Sequence, residues 1–223
     1  MKKILMMAIV AMMVTTKASA QYEPGTWSIQ PKIGIGFSQI SNMENIDMGT
    51  AKLDNQVTYA ASSGVEFEYQ VSKMIGVAAG LSYGVQGTGW KDFQQGVEKM
   101  KNPRVELEYI QVPILANVYV TKGLALKAGV QFGFLVNSNV KMTYDSKIME
   151  RDATMDASIE MKNDFNKFDL SIPVGVSYEF NSHWVLDARY HIGLTKLNKE
   201  TLSNGKDWKN GMFLMSVGYK FDL

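Results

Sequence analysis

The residues whose types could do chemistry are few: His183 and His191, the run Asp187-x-Arg189-x-His191, and the glutamate pairs Glu66/Glu68 and Glu106/Glu108. The histidines are eight residues apart. In an extended segment rising about 3.3 Å per residue they stand ~26 Å from each other, too far to ligate one metal ion. Asp187, Arg189 and His191 are spaced by two, so a strand presents them on one face. Such a trio can orient an imidazole for proton transfer; it can equally form ion pairs that fill a narrow interior, and that is the reading adopted. Paired carboxylates catalyse glycosidic cleavage only with a substrate cleft between them. The absence of cysteine excludes disulfides, thiolate metal sites, a cysteine nucleophile and a lipidated N-terminal Cys. Walker, nucleophile-elbow, zinc and EF-hand patterns are missing as well, so no catalytic residue, metal or cofactor is expected.

The elements that must position these residues follow from the balance of the chain. It has 223 residues, 46% hydrophobic and 20% charged, with 23 basic against 22 acidic side chains and mean hydropathy near zero. Lipid-spanning helices would need repeated runs of about 20 apolar residues. Disorder is excluded by the aromatic and aliphatic content, and a near-neutral charge argues against a nucleic-acid partner. Residues 1–20 read as a cleavable secretory leader: Lys2 and Lys3, an apolar core at Ile4–Val14, and Ala18-Ser19-Ala20 at the cleavage point. Residues 21–223 then form the exported domain, with 20 basic residues facing 22 acidic ones.

Beyond the leader the dominant period is two, the pattern of half-buried strands. Trp27–Ser38, Tyr59–Gln70, Gly76–Gln86, Leu124–Asn137, Phe168–Phe180, Trp184–Leu194 and Gly211–Leu223 each alternate apolar with polar or tiny residues. Another strand, from Val105 to Val120, switches parity between Tyr109 and Ile110, which a β-bulge there would reconcile. These eight strands alternate between short turns (Val71–Ile75, Thr121–Gly123, Asn181–His183) and long polar connections (Gln39–Thr58, Gly87–Arg104, Ser138–Lys167, Thr195–Asn210). That alternation predicts an all-β, eight-stranded antiparallel up-and-down transmembrane β-barrel, with turns and termini in the periplasm and loops outside the cell. A soluble lipocalin-like barrel is the other fold considered.

Glycine sets the inside. Gly34, Gly36, Gly64, Gly76, Gly80, Gly84, Gly129, Gly133, Gly175, Gly193 and Gly218 lie on the polar faces. Small residues there leave room in an eight-stranded interior, which is only just wide enough for side chains. The charged residues expected to share it as an ion-pair network are Lys32, Glu66, Glu68, Lys127, Asp169, Glu179, Asp187, Arg189, Lys220 and Asp222, with His191. Counting Glu106 and Glu108 as inward makes the lumen acidic by four. Lys32 is expected beside Glu66, and Lys127 beside Glu179. Aromatics at the strand ends mark two membrane rims: Trp27, Tyr69, Phe180, Trp184, Tyr219 and Phe221 on the periplasmic side, and Phe37, Tyr59, Tyr83, Phe134, Phe168 and Tyr190 on the outer side.

The last strand, Ser216-Val217-Gly218-Tyr219-Lys220-Phe221-Asp222-Leu223, resembles the C-terminal assembly signal of outer-membrane proteins through Gly218, Phe221 and Leu223, with Leu replacing the commoner terminal Phe. Tyr109-Ile110-Gln111-Val112-Pro113-Ile114-Leu115 and Leu126-Lys127-Ala128-Gly129-Val130-Gln131-Phe132-Gly133-Phe134-Leu135 are similar to strands of the outer-membrane β-barrel domain (PorT-like) family of Bacteroidota. The resemblance spans the mature chain and implies a Gram-negative cell envelope, outer-membrane lipid around the barrel and the barrel-assembly machinery during insertion. Its motifs are structural, so they carry fold and location rather than activity.

Three functions are compatible with such a barrel. The first is a non-enzymatic protein with a filled lumen whose loops present a surface outside the cell for structural or interaction roles; the flanks of the Met-bearing loop 138–167 are expected to extend the barrel as a hairpin, and that loop is either a site for an extracellular partner or a variable solvated loop. The second is a small cation-preferring pore or transporter, which the acidic lumen would favour. A lipid-modifying enzyme is the third, and it would need Ser, His and an acid together on the outer rim, whereas His191 is expected to face inward.

Overall fold

The structure, a computed structural model, describes residues 23–43, 55–95, 98–148, 151–160, 164–180, 183–199 and 206–223; the leader at 1–20 lies outside them. Eight long strands form the wall: β1 (Trp27–Ser41), β2 (Thr58–Ser72), β3 (Ile75–Trp90), β4 (Glu98–Tyr119), β5 (Leu124–Ile148), β6 (Phe168–Phe180), β7 (Trp184–Gly193) and β8 (Lys209–Tyr219). Each pairs antiparallel with its successor, and β8 returns to β1 through Lys32↔Gly218 to Ser41↔Lys209. The fold is therefore a closed, eight-stranded, antiparallel up-and-down barrel, with no helix among the described residues. Closure leaves the wall without the free edges of an open sheet. At the turn end, Phe221–Asp222 continues the last strand against Ser28 and Ile29.

Two connections are shorter than the sequence suggests. The stretch Gly87–Arg104, expected as a loop, is mostly strand: β3 runs to Trp90, Phe93–Gln95 pairs with β4, and β4 starts at Glu98. Within the stretch Ser138–Lys167, the distal half of β5 pairs with Arg151–Glu160 from Asn139↔Glu160 to Ile148↔Arg151, the two arms of a hairpin. The second is the hairpin expected of the flanks of loop 138–167; for Gly87–Arg104 polarity of composition was a poor guide, since a strand standing in water needs no apolar outer face.

The parity switch on β4 also has a different cause. Val105, Leu107, Tyr109, Gln111, Pro113, Leu115, Asn117 and Tyr119 are all buried on the inside, so the strand keeps one parity throughout. The bulge lies on the facing strand, where Glu108 opposes Asn137 and Tyr109 opposes Leu135, leaving Val136 unpaired. What changes is the surroundings. Below Tyr109 the outer face is apolar (Ile110 and Ile114 are exposed); above it, Glu106 and Glu108 point outward while Val105 and Leu107 point inward. The strand leaves an apolar medium and becomes an ordinary water-facing strand with an apolar inside.

That upper inside is a core. Ile40, Met43, Trp90, Val105, Leu107, Tyr109, Leu135, Phe165, Leu197 and Trp208 pack together across the loop end. Phe165, Leu197 and Trp208 come from the last two connections and act as a lid. The Phe165 and Trp208 ring centroids are 6.3 Å apart, Leu197 N donates to Trp208 O (2.9 Å), and Asn166 N donates to Leu197 O (2.8 Å). Burying each such side chain is worth about 1.5–3 kcal/mol relative to water.

Candidate functional site

Below this apolar plug lies the charged centre of the lumen. On β7, Asp187, Arg189 and His191 share the inward parity; Glu66 reaches in from β2, Lys32 from β1 and Lys127 from β5. Arg189 grips Glu66 with both terminal nitrogens, Nη1 to Oε1 at 2.6 Å and Nη2 to Oε2 at 2.9 Å, and also donates to Asp187 Oδ2 at 2.6 Å. Lys127 Nζ donates to Asp187 Oδ2 at 3.0 Å and stands 3.6 Å from Glu66 Oε2. Lys32 Nζ donates to Glu66 Oε1. Bidentate guanidinium–carboxylate geometry gives this hub direction as well as attraction.

Glycine makes the convergence possible. Gly175 sits between Lys127 and Arg189 in register, and a β-carbon there would collide with the Ala188 carbonyl and the Arg189 backbone. Gly80, opposite Glu66, likewise leaves the space that Glu66 Cγ uses. Gly76, Gly80 and Gly175 are thus clearance for the long charged side chains of Glu68, Glu66 and Arg189.

The remaining expected lumen residues lie on other levels. Asp169 accepts from Thr195 Oγ1 (2.6 Å) and Asn210 Nδ2 (2.8 Å) just under the plug. Toward the turn end, Glu68 accepts from Tyr119 Oη at 2.6 Å, and Lys220 Nζ pairs with Glu179 at 3.1 Å. Sequence reasoning missed Thr195, Asn210 and Tyr119; only the inward parity of Tyr119 could have signalled one of them. The pairing expected between Lys127 and Glu179 does not form. The β5–β6 register sets Lys127 against Gly175, four residues from Glu179, and Glu179 finds Lys220 instead.

The charge count of the lumen changes accordingly. Glu106 and Glu108 are outside, and Asp222 is exposed at the turn-end rim opposite Ser28. Among the described residues, four cations (Lys32, Lys127, Arg189, Lys220) face in against five acids (Glu66, Glu68, Asp169, Glu179, Asp187), not a lumen acidic by four. On the outer wall above the belt, Glu106 pairs with Arg104 (2.7 Å) and Lys141 (2.5 Å). Burial pushes its carboxyl up, but these hydrogen bonds outweigh burial and hold it below the usual carboxylate range. Tyr83 Oη donates to Glu108 at 2.5 Å.

Outside, the apolar side chains form a band between two rows of rings. At the turn end, Trp27 packs on Tyr69 (centroids 4.8 Å), Trp184 on Tyr219 (5.2 Å) and Tyr219 on Phe221 (4.7 Å), with Phe180 opposite Trp184 in register. At the loop end, Phe37 faces Tyr59 (6.2 Å) and Phe134 faces Phe168 (5.8 Å), with Tyr83 and Tyr190 exposed on the same side. From Trp27 to Phe37 is ten residues of β1. At about 3.3 Å each and a tilt of about 40°, they span ~25 Å, the height of a barrel's apolar band. Trp27→Ala is expected to lower the stability of the refolded barrel by about 0.5–1.5 kcal/mol beyond its lost area, because the aromatic pair goes with it; urea unfolding in lipid vesicles reads this as a shifted midpoint.

A closed barrel that is apolar outside and charged inside is a β-barrel built for a bilayer. Residues 19–199 match the outer membrane protein beta-barrel domain family, and the chain belongs to it. No curated protein matches the chain. Solved structures to which the chain is similar include Ail, the attachment invasion locus protein of Yersinia pestis, at 17% identity and TM-score 0.42, covering 89% of this chain and 100% of that one. Neisserial surface protein A aligns at 14% and TM-score 0.43, over 87% and 97%. The outer membrane protein OprG of Pseudomonas aeruginosa aligns at 13% and TM-score 0.42, over 91% and 98%. The protein is an outer-membrane β-barrel.

Proposed function

We propose that this chain is a non-conducting, non-enzymatic outer-membrane barrel whose raised hairpin meets a protein partner outside the cell. The observation that carries the reading is the filled interior: a five-residue ion cluster in mid-lumen under an apolar plug whose Leu107 and Tyr109 are fully buried. A cation-preferring pore loses its main support with the near balance of lumen charge. A lipid-modifying site on the rim is equally unsupported, because His191 is buried inside.

On this reading, residues 1–20 direct export, Gly218, Phe221 and Leu223 serve assembly, and the chain is a PorT-like barrel of Bacteroidota. The turns and termini face the periplasm. The hairpin Asn139–Glu160 faces outward and offers a ten-residue strand, Arg151–Glu160, whose far edge has no strand partner among the described residues. Open edges recruit extended peptides by strand addition. Met155 and Ile159 are exposed on one face of this strand, and Asp156 and Glu160 on the other, which suits a partner strand alternating apolar with basic residues.

The lack of native cysteine gives a clean test of orientation. D156C in the hairpin is expected to react with a membrane-impermeant maleimide on intact cells. K122C, in the turn after β4, is expected to react only once the envelope is opened. The opposite pattern would overturn the orientation and the reading built on it.

A further inference from the structure

We infer that the middle of the lumen is a binding site for one small monovalent anion of chloride size. Lys32, Lys127 and Arg189 bring three positive charges to a cluster in which Glu66 and Asp187 supply two negative ones, and Glu66, Lys127, Asp187 and Arg189 are each at least nine-tenths buried. The other inward acids are engaged elsewhere: Asp169 with Thr195 and Asn210, Glu68 with Tyr119, Glu179 with Lys220. The cluster taken alone therefore carries one net positive charge, within a lumen of four cations and five acids, and a charge not compensated close by is strongly unfavourable in such a place.

The same place holds a cavity of about 20 Å³ lined by Lys32, Glu66, Asp187 and Arg189 together with His191, Gln111 and Gln131. Space of that size accepts a single guest no larger than about a water molecule or a halide. Arg189 and His191 both line the cavity, and Arg189 Nε and both ring nitrogens of His191 are buried without a hydrogen-bond partner among the described residues. Arg189 Nε is a permanent donor, and a neutral imidazole carries a second N–H. A halide accepts from both and cancels the surplus charge; water does only the first. Polyatomic oxyanions are too large for the space. Asp187 Oδ1, also without a partner, is an acceptor and favours water, so the test must separate these two guests.

Bromide does so, because it scatters anomalously and water does not. The mature barrel refolded and crystallised in sodium bromide is expected to show one anomalous peak in the lumen, at hydrogen-bond distance from Arg189 Nε. Lumen density at that point without anomalous signal means water and overturns the inference. Lys32→Met balances the cluster at two charges of each sign and is expected to abolish the peak in a barrel that still shifts on heating in a denaturing gel. A peak of undiminished height in that variant would contradict the charge argument. Neither result depends on which way the loops face or whether the hairpin has a partner.

Discussion

Glu66→Ala is expected to be among the most damaging single substitutions in the barrel, lowering its unfolding free energy by about 3–5 kcal/mol, the usual cost of breaking a buried ion pair from one side. Glu66 is the acceptor common to all three cations: Arg189 holds both its oxygens, Lys32 bonds Oε1 and Lys127 approaches Oε2. Without it, Asp187 is the one acid of the cluster left to face Lys32, Lys127 and Arg189, all of them buried beneath the plug. Glu179→Ala near the turn end is the comparison. There the ion pair with Lys220 is broken, Lys220 keeps its place over the Tyr119 ring, and Glu179 is the more accessible of the two acids, so a distinctly smaller loss is expected. Reversible urea unfolding in lipid vesicles measures both. Equal losses would mean that Glu66 is not the hub.

The second large effect belongs to the outer face. Ile33→Arg places a guanidinium midway between Trp27 and Phe37, where the side chain is 65% exposed to the surroundings of the wall. If those surroundings are hydrocarbon, the cost is about 2–4 kcal/mol, whereas an arginine near the interface costs about 0–1. Tyr59→Arg, on the loop-end ring row and 84% exposed, is the interface partner of the experiment. In water neither change would matter, since both positions are open. A strong penalty at Ile33 with almost none at Tyr59 therefore measures the medium rather than the packing.

How far the sequence could be read follows from the same physics. Where the wall lies in the bilayer, the period of two carries both the strands and the inside: Phe168–Phe180 matches β6 end to end, and Arg189, Asp187 and Glu66 are inward as their parity requires. Polarity served there as a proxy for direction. It inverts at the point where the wall emerges into water, which is why Val105, Leu107 and Tyr109 read as a switch of face and Glu106 and Glu108 as lumen charges. Register was less legible. Lys127 could be assigned a face but not a level, since the pairing Lys127↔Gly175 depends on strand stagger that neither residue encodes alone. Least visible was the plug, whose Phe165, Leu197 and Trp208 lie in connections with no period at all. Their burial arises only when the strand ends bring the connections over one another.

The central claim, a lumen filled by its own side chains, is tested most directly by electrical recording on the refolded mature barrel in a planar bilayer. A barrel closed by the cluster around Glu66 and by the plug around Leu107 is predicted to leave the baseline current unchanged, without discrete steps, at either polarity. Stable, reproducible single-channel steps with a reversal potential that favours cations would contradict it.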